Sequence, residues 1–263
     1  MIVAVVIPVY NEIELLPRLI ERLDATPRPV TPGGIQATRL CVVVDDGSTD
    51  GTADWMAEHL DGREDALVLY AKQNGGKGTA LARGFAAALQ AGADVILVQD
   101  ADLEYDPADH APALAPILRG DADAVIGSRF IGQTHRVLYY WHSVANRVIT
   151  TLSNMLSNLN LTDIECGTKA FTARVAREMT IEESRFGVEP EMVAKLAKLR
   201  LPPADRSSTE PRPIRIYEVP VSYAGRTYAE GKKIGWRDGV AALRCIAKYN
   251  LRRRRGAYKP APK

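Results

Sequence analysis

Four apolar runs punctuate the first hundred positions: Ile2 to Val9, Leu40 to Val44, Leu67 to Ala71 and Val95 to Val98. Runs this short, rich in β-branched residues and lacking polar alternation, predict strands buried on both faces. Pro8 marks the end of the first. Between the runs the spacing changes. Leu15, Leu16, Leu19 and Leu23 recur at helical steps and predict a helix over Glu12 to Leu23. A second helix carries Trp55 and Leu60, with Ser48, Thr49 or Asp50 able to cap it, and a third runs from Thr79 to Ala91. The Pro, Gly and Thr-rich stretch Thr26 to Thr38 reads as a surface excursion. This alternation is the pattern of an α/β domain with a mostly parallel sheet and helices on both faces.

The second half is less regular. His110 to Leu118 predicts a helix, Ala124 to Gly127 a short strand, and Leu138 to Leu159 a long amphipathic helix. Trp141, Ala145, Val148, Leu152, Met155 and Leu159 line one face of that helix, and Asn and Ser crowd the other. Glu165 to Phe171 is a turn leading into a strand, Pro190 to Leu199 a helix, and Pro202 to Pro213 a polar loop. Ile214 to Val221 predicts a last strand and Trp236 to Asn250 a last helix, followed by a tail from Gly256 expected to be disordered.

Composition narrows the class. A chain of 263 residues, 46% hydrophobic and 25% charged, fits one large α/β domain with or without a small appendage. Three widely spaced cysteines suggest neither a disulfide framework nor a zinc site, which suits a reducing cytoplasm. No signal peptide or membrane-spanning run is recognised. The net charge of +2 hides an asymmetry: residues 231–263 hold eleven Lys or Arg and one Asp, leaving the preceding chain acidic. In the last helix Trp236, Val240, Leu243 and Ala247 form an apolar stripe beside a basic one of Arg237, Arg244, Lys248, Arg252 and Arg255. Such a helix either packs on the core or lies on an anionic bilayer. A nucleic acid is not expected as partner, because no recognised module accompanies the basic segment.

The candidate chemistry gathers beyond Val98, where Asp100, Asp102 and Glu104 follow in QDADLEYDP. Ligands of open α/β sheets sit past the carboxyl ends of the strands. In an extended segment alternate residues point the same way, so these acids are expected to converge on one point. Three hard oxygen donors suit Mg²⁺ or Mn²⁺. Taken alone, the acids are equally an ordinary capped turn, and so is DDGSTDGT. NGGKG has neither the P-loop nor the dinucleotide-fold glycine spacing, yet glycine amides at a helix start suit a phosphate.

The ordered series VVIPVYNE, VVVDDGSTDGT, NGGKGTALARG, QDADLEYDP, GSRF and ECGTKAF resembles family-2 glycosyltransferases of the GT-A (Rossmann-like) fold. Within them it is most similar to the dolichyl- or polyprenyl-phosphate mannose (or glucose) synthases, over roughly residues 2 to 250. The resemblance implies a transferase domain over 1–230, with a nucleotide-sugar half to 107 and an acceptor half from 108. A basic amphipathic helix over 231–255 and a tail over 256–263 complete the division. It further implies that Pro8, Tyr10, Glu12, Asp45, Asp46, Lys77, Asp100 and Ala101 bind the nucleotide sugar, GDP-mannose or UDP-glucose. Asp100, Asp102 and Glu104 would hold the metal; relatives often carry Gln where Glu104 stands. Arg129, Ser143, Arg226 and Lys232 would face a polyprenyl phosphate, with Asp102, Arg129, Arg226 and Lys232 nearest the chemistry. An ionised phosphate needs no general base, so His59, His110, His135 and His142 are read as surface or structural, with His142 also placed to line the acceptor site. The implied reaction inverts the anomeric centre, at the cytoplasmic face of a membrane, in a peripheral protein compatible with a homo-oligomer. Two rivals stand beside it: the same donor chemistry on a hydroxyl acceptor, with Glu191 or Asp163 as base, and a non-catalytic nucleotide- or RNA-binding protein.

Overall fold

The apolar runs form one twisted sheet, and its edge order places every candidate loop at one end. A computed structural model describes residues 1–132, 136–137, 139–205, 207–226 and 236–251, the side chains of 236–238 excepted. In chain order the elements are β1 (Ile2–Val9), α1 (Leu16–Ala25), β2 (Thr38–Asp45), α2 (Thr52–His59), β3 (Ala66–Tyr70), α3 (Lys77–Gln90) and β4 (Val95–Val98). There follow α4 (His110–Leu118), β5 (Ala124–Ser128), α5 (Tyr140–Ser157), β6 (Lys169–Thr172), α6 (Ala173–Glu178) and α7 (Val188–Lys198). The last are the ribbon strands β7 (Arg200–Leu201) and β8 (Arg212–Pro213), then β9 (Ile216–Pro220) and α8 (Trp236–Leu251).

The main sheet runs β3-β2-β1-β4-β6-β5-β9, parallel except for β6, which is antiparallel to both neighbours. Alternation along β1 divides the core. Val3, Val5 and Ile7 pack toward α1, α2 and α4, whereas Ala4 and Val6 pack toward α3, α6 and α7. Pro8 lies inside β1, opposite Val44, rather than at its end. Pairing with β4 stops at Val6, so the missing N–H of Pro8 leaves no gap in that ladder. The helix predicted from Glu12 begins only at Leu16, with a proline in its first turn, and Ile20 joins Leu16, Leu19 and Leu23 on the buried face.

Two helices depart from the usual rule that the apolar stripe faces the core. On α5, Thr150 and Ser153 are the buried residues, while Trp141 and Met155 are 75% and 74% exposed and Val148 and Leu152 stand out beside them. On α8 the buried face is Ala242, Cys245, Ile246 and Tyr249, packed against α5 and α7. The stripe of Val240, Leu243 and Ala247 remains outside. The helix is therefore packed on the core and presents an apolar face at once. Among the described residues no helix is long and apolar enough to cross a membrane. The tail from Arg252 lies outside the described residues.

The approach of α3 to the sheet rests on Gly84, where an added Cβ would collide with Val6 Cγ1 and stand 3.2 Å from Val44 Cγ2. Gly84→Ala is expected to lower stability by about 1–3 kcal/mol, the usual effect of overpacking. A urea midpoint equal to that of the parent would show that α3 is less tightly seated than this.

Candidate functional site

Two loops at the ends of β1 and β2 are sewn together first. Asn11 sits in the left-handed region, at φ 52°, and its N–H donates to Ser48 Oγ while its side-chain oxygen accepts from Thr49 N–H. Glu12 N–H reaches Thr52 Oγ1, and Asp50 accepts from Ile13 and Thr52. Asp45 turns back to its own loop, taking the amides of Gly47 and Ser48. Asp46 bonds across, accepting Gly75 N–H at 2.9 Å and Gly76 N–H at 2.6 Å. The DDGSTDGT turn thus fixes both PVYNE and NGGKG. Tyr10 is exposed, Pro8 half-buried and Ala101 buried.

The acids past β4 do not lie on an extended segment. They form a turn in which Leu103 adopts φ 59°, so Asp102 Oδ1 accepts Glu104 N–H at 3.1 Å. Convergence by strand alternation, as expected from the sequence, is corrected accordingly. Gln99 braces the turn from below, its Nε2 donating to the carbonyls of Asp100 and Tyr105 and its Oε1 accepting from His110 Nε2, 2.7 Å away. Burial holds His110 down to about 3, so it is neutral and structural. His59 stacks on Trp55, also away from the site.

Each acid of the triplet already has a partner. Lys77 Nζ stands 2.7 Å from Asp100, while Arg226 reaches Asp102 at 3.0 Å and Glu104 at 3.7 Å. Arg226 N–H donates to Glu104 Oε1, and Tyr223 OH to Glu104 Oε2. Among the described residues no group of three His, Cys, Asp or Glu is gathered so as to hold a metal ion. The expected three-carboxylate site is therefore not assembled, and the guanidinium of Arg226 lies among its acids. The donor chemistry still favours a cation: Glu12, Asp100, Asp102 and Glu104 outnumber Lys77 and Arg226, which pair with them. Burial raises both Asp100 and Asp102, against Lys77 in the first case, and for Asp102 the charge of Glu104 adds to it. A cleft of about 720 Å³ opens beside them, lined in part by Asn11, Glu12, Asp50, Asp102, Arg136 and Arg226.

Two residues central to this arrangement were missed by the sequence reading. Glu189, at the start of α7, places Oε1 2.9 Å from Lys77 and Oε2 against Lys169, a fully buried lysine on β6. Lys169 also donates to the carbonyls of Ile164 and Cys166. The result is a ladder of alternating charge, Lys169, Glu189, Lys77, Asp100. Burial disfavours the Glu189 carboxylate, yet the two lysines hold it below its ordinary range. Gly167 closes the turn over the ladder, since a Cβ there would collide with Asp100 Oδ2. The signal was legible in principle: a lysine inside an apolar strand is almost never buried unpaired.

The second half of the chain is pinned by Arg129. Its guanidinium pairs with Asp163 at 2.6 and 2.9 Å and with Asn146 at 3.2 Å, beneath the Tyr223 ring. Ser143 lies one turn before Asn146 on α5, on the same face. Lys232 and His135 lie outside the described residues. Neither expected base is available. Asp163 is spent on Arg129, and Glu191 is fully buried, bonded to Lys195 and to the amides of Glu182 and Glu183. Glu165 differs: burial, with Glu189 adding to it, pushes its carboxyl up to about 7, and its Oε1 is buried without a hydrogen-bond partner.

A family model described as Glycosyl transferase family 2 matches residues 4–180. An undecaprenyl-phosphate mannosyltransferase of Micrococcus luteus is 32% identical over 252 residues, covering 92% of this chain and 91% of that protein. A polyprenol monophosphomannose synthase of Mycolicibacterium smegmatis is 32% identical over 181 residues, 67% of this chain and 64% of that one. Among solved structures, glucosyl-3-phosphoglycerate synthase of Mycobacterium tuberculosis, in complex with Mn²⁺, UDP and glucosyl-3-phosphoglycerate, aligns with TM-score 0.62. It covers 97% of this chain and 81% of that chain at 18% identity, a likeness of fold.

Glu189→Gln removes the only carboxylate paired with Lys169 among the described residues and is expected to destabilise by about 3 kcal/mol, as for a broken buried pair. Because the folded Glu189 titrates below 4.5, its contribution is present above that pH and lost as pH falls further. The gap between parent and variant in urea titrations should therefore narrow below pH 4.5, and a constant gap would show that charge is not its source.

Proposed function

We propose, from the premise that this chain belongs to glycosyltransferase family 2, that it transfers a hexose from a nucleotide sugar to a polyprenyl phosphate at a membrane surface. Its fold is of the GT-A type. Mannose from a guanosine diphosphate donor is favoured over glucose from a uridine one, because two of the similar proteins are mannosyl enzymes. A panel of the two donors with labelled polyprenyl phosphate tests that choice.

The observation that carries the lipid reading is the inverted face of α5. A helix that buries hydroxyls and exposes Trp141, Val148, Leu152 and Met155 is stable beside an apolar medium. Fully burying such a side chain contributes about 1.5–3 kcal/mol, against ~1 kcal/mol for each surface charge near anionic lipid. The apolar faces of α5 and α8 therefore outweigh Arg244 and Lys248, which are paired with Glu183. The enzyme is read as peripheral, on the cytoplasmic face.

In this reading Lys77 receives the diphosphate, where a fixed positive charge stabilises the leaving group. Mg²⁺ or Mn²⁺ use belongs to the same reading, supported by the carboxylate excess around Asp102; such an ion would take Asp102 from Arg226. The acceptor is an ionised phosphate oxygen that attacks in line and inverts the anomeric carbon, gripped by Arg129 and Arg226. The commitment of Asp163 and Glu191 to ion pairs supports an acceptor that needs no base. A non-catalytic nucleotide- or RNA-binding role finds no support in a site with its charged groups intact.

A hydroxyl acceptor remains the second reading, favoured by the raised, unpartnered carboxyl of Glu165. Arg226→Lys, which cannot reproduce the paired guanidinium bonds, is expected to lower transfer to polyprenyl phosphate about tenfold or more while slow hydrolysis of the donor persists. Glu165→Gln should leave transfer within about twofold. A silent Arg226→Lys beside an inactive Glu165→Gln would replace the phosphate acceptor by a hydroxyl.

For the membrane, Trp141→Ser with Met155→Ser should weaken binding to phospholipid vesicles by about tenfold or more at any salt, with the thermal midpoint unchanged. Unaltered vesicle binding would remove α5 from the membrane surface.

A further inference from the structure

The segment Glu182 to Gly187 lies between the glycine loop of the donor site and α8, in bonding contact with both. On its inner side Ser184 carbonyl accepts Gly78 N–H at 2.8 Å and Thr79 N–H at 3.3 Å. These are among the first amides of α3, the ones that a helix start leaves without intrahelical acceptors. The approach is close enough to demand glycine: a Cβ on Gly78 would collide with Glu183 carbonyl oxygen, and one on Gly76 with Ser184 carbonyl oxygen. On its outer side the Glu183 carboxylate accepts from Lys248 Nζ at 2.6 Å, Arg244 Nη2 at 2.8 Å and Tyr249 OH at 2.9 Å. Three side chains of α8 thus converge on one carboxylate. Gly187, at the end of the segment, leaves the room that Cys245 Sγ occupies, since a Cβ there would stand 2.6 Å from the sulfur.

We propose that α8, acting through Glu183, holds the glycine loop so that Lys77 keeps its place, which makes Glu183 a positioning residue for donor binding. The inference rests on the reading that Lys77 receives the donor diphosphate. Nothing in the segment touches the cleft beside Asp102, so the effect is on donor affinity and not on the acceptor groups. Lys77 lies between Gly76 and Gly78, and any shift of those two residues against Ser184 moves its ammonium relative to Asp100 and Glu189. Asp46 holds the loop at Gly75 and Gly76, and this brace holds it at Gly78 and Thr79, where the glycines supply no side chain of their own.

The test uses the full chain with two variants, Glu183→Gln and the double Arg244→Gln/Lys248→Gln, each checked for an intact thermal transition. Residue-resolved hydrogen exchange reads the link itself, and titration calorimetry with GDP and with UDP, each with Mn²⁺, reads its consequence. In both variants the Gly78 and Thr79 amides are expected to exchange about tenfold faster or more, while β1 amides are unchanged. The nucleotide that binds the parent should bind at least about fivefold more weakly, with the acceptor KM unmoved. Protection of Gly78 and Thr79 retained in both variants overturns the link. Faster exchange with unchanged nucleotide affinity overturns the positioning role. A parent that binds neither nucleotide, with the exchange effect intact, removes the donor reading and with it the functional half of the proposal, while the mechanical link stands.

Discussion

The charge ladder Lys169, Glu189, Lys77, Asp100 is the constraint on which the site depends. It joins four parts of the chain that are distant in sequence: β6, the start of α7, the start of α3 and the end of β4. Buried ions are costly to desolvate, and each member here offsets that cost only by the presence of the next. The ladder therefore admits one register of these elements. A shift of β6 by one residue would turn Lys169 to the opposite face of the sheet and leave Glu189 with Lys77 alone. That the antiparallel strand β6 inserts between β4 and β5 is what brings its lysine to this place.

Periodicity carried the first half of the chain well. β1 and β4 fall where the apolar runs place them, because uninterrupted β-branched residues have few other stable solutions. The turn after β4 was misread for a local reason. Leucine at positive φ is disfavoured, and the bonds that Gln99, Asp102, Glu104, Tyr223 and Arg226 make around it hold Leu103 there, none of which is visible as a pattern. At the start of α7 the sequence reading named Glu191, as a base for a hydroxyl acceptor, and passed over Glu189. Glu189 and Glu191 are two residues apart and so face different ways; the first meets Lys77, the second Lys195. Once a helix start is located to within a residue, such a choice can be made from the sequence, but starts are the least legible part of a helix.

The second half of the chain shows a different limit. Hydrophobic patterning reports that one face of α5 avoids water, not what lies on it. Thr150 and Ser153 look like a solvent face in the sequence and are buried in the fold. Arg129 shows the complementary case: the GSRF motif singled it out in the sequence, while its pairing with Asp163 and Asn146 could be found only from the folded chain. Those bonds hold the guanidinium in one plane, so that it presents a fixed edge instead of a mobile charge.

The exposed stripe of α5 has a consequence for how the protein behaves in plain aqueous buffer. In detergent-free buffer Trp141, Val148, Leu152 and Met155 have only water or one another to meet. The least costly arrangement is for two or more copies to hide their stripes together, giving particles whose size tracks protein concentration and vanishes on addition of micelles. A stoichiometry measured under those conditions would describe the solvent and not the protein's own assembly.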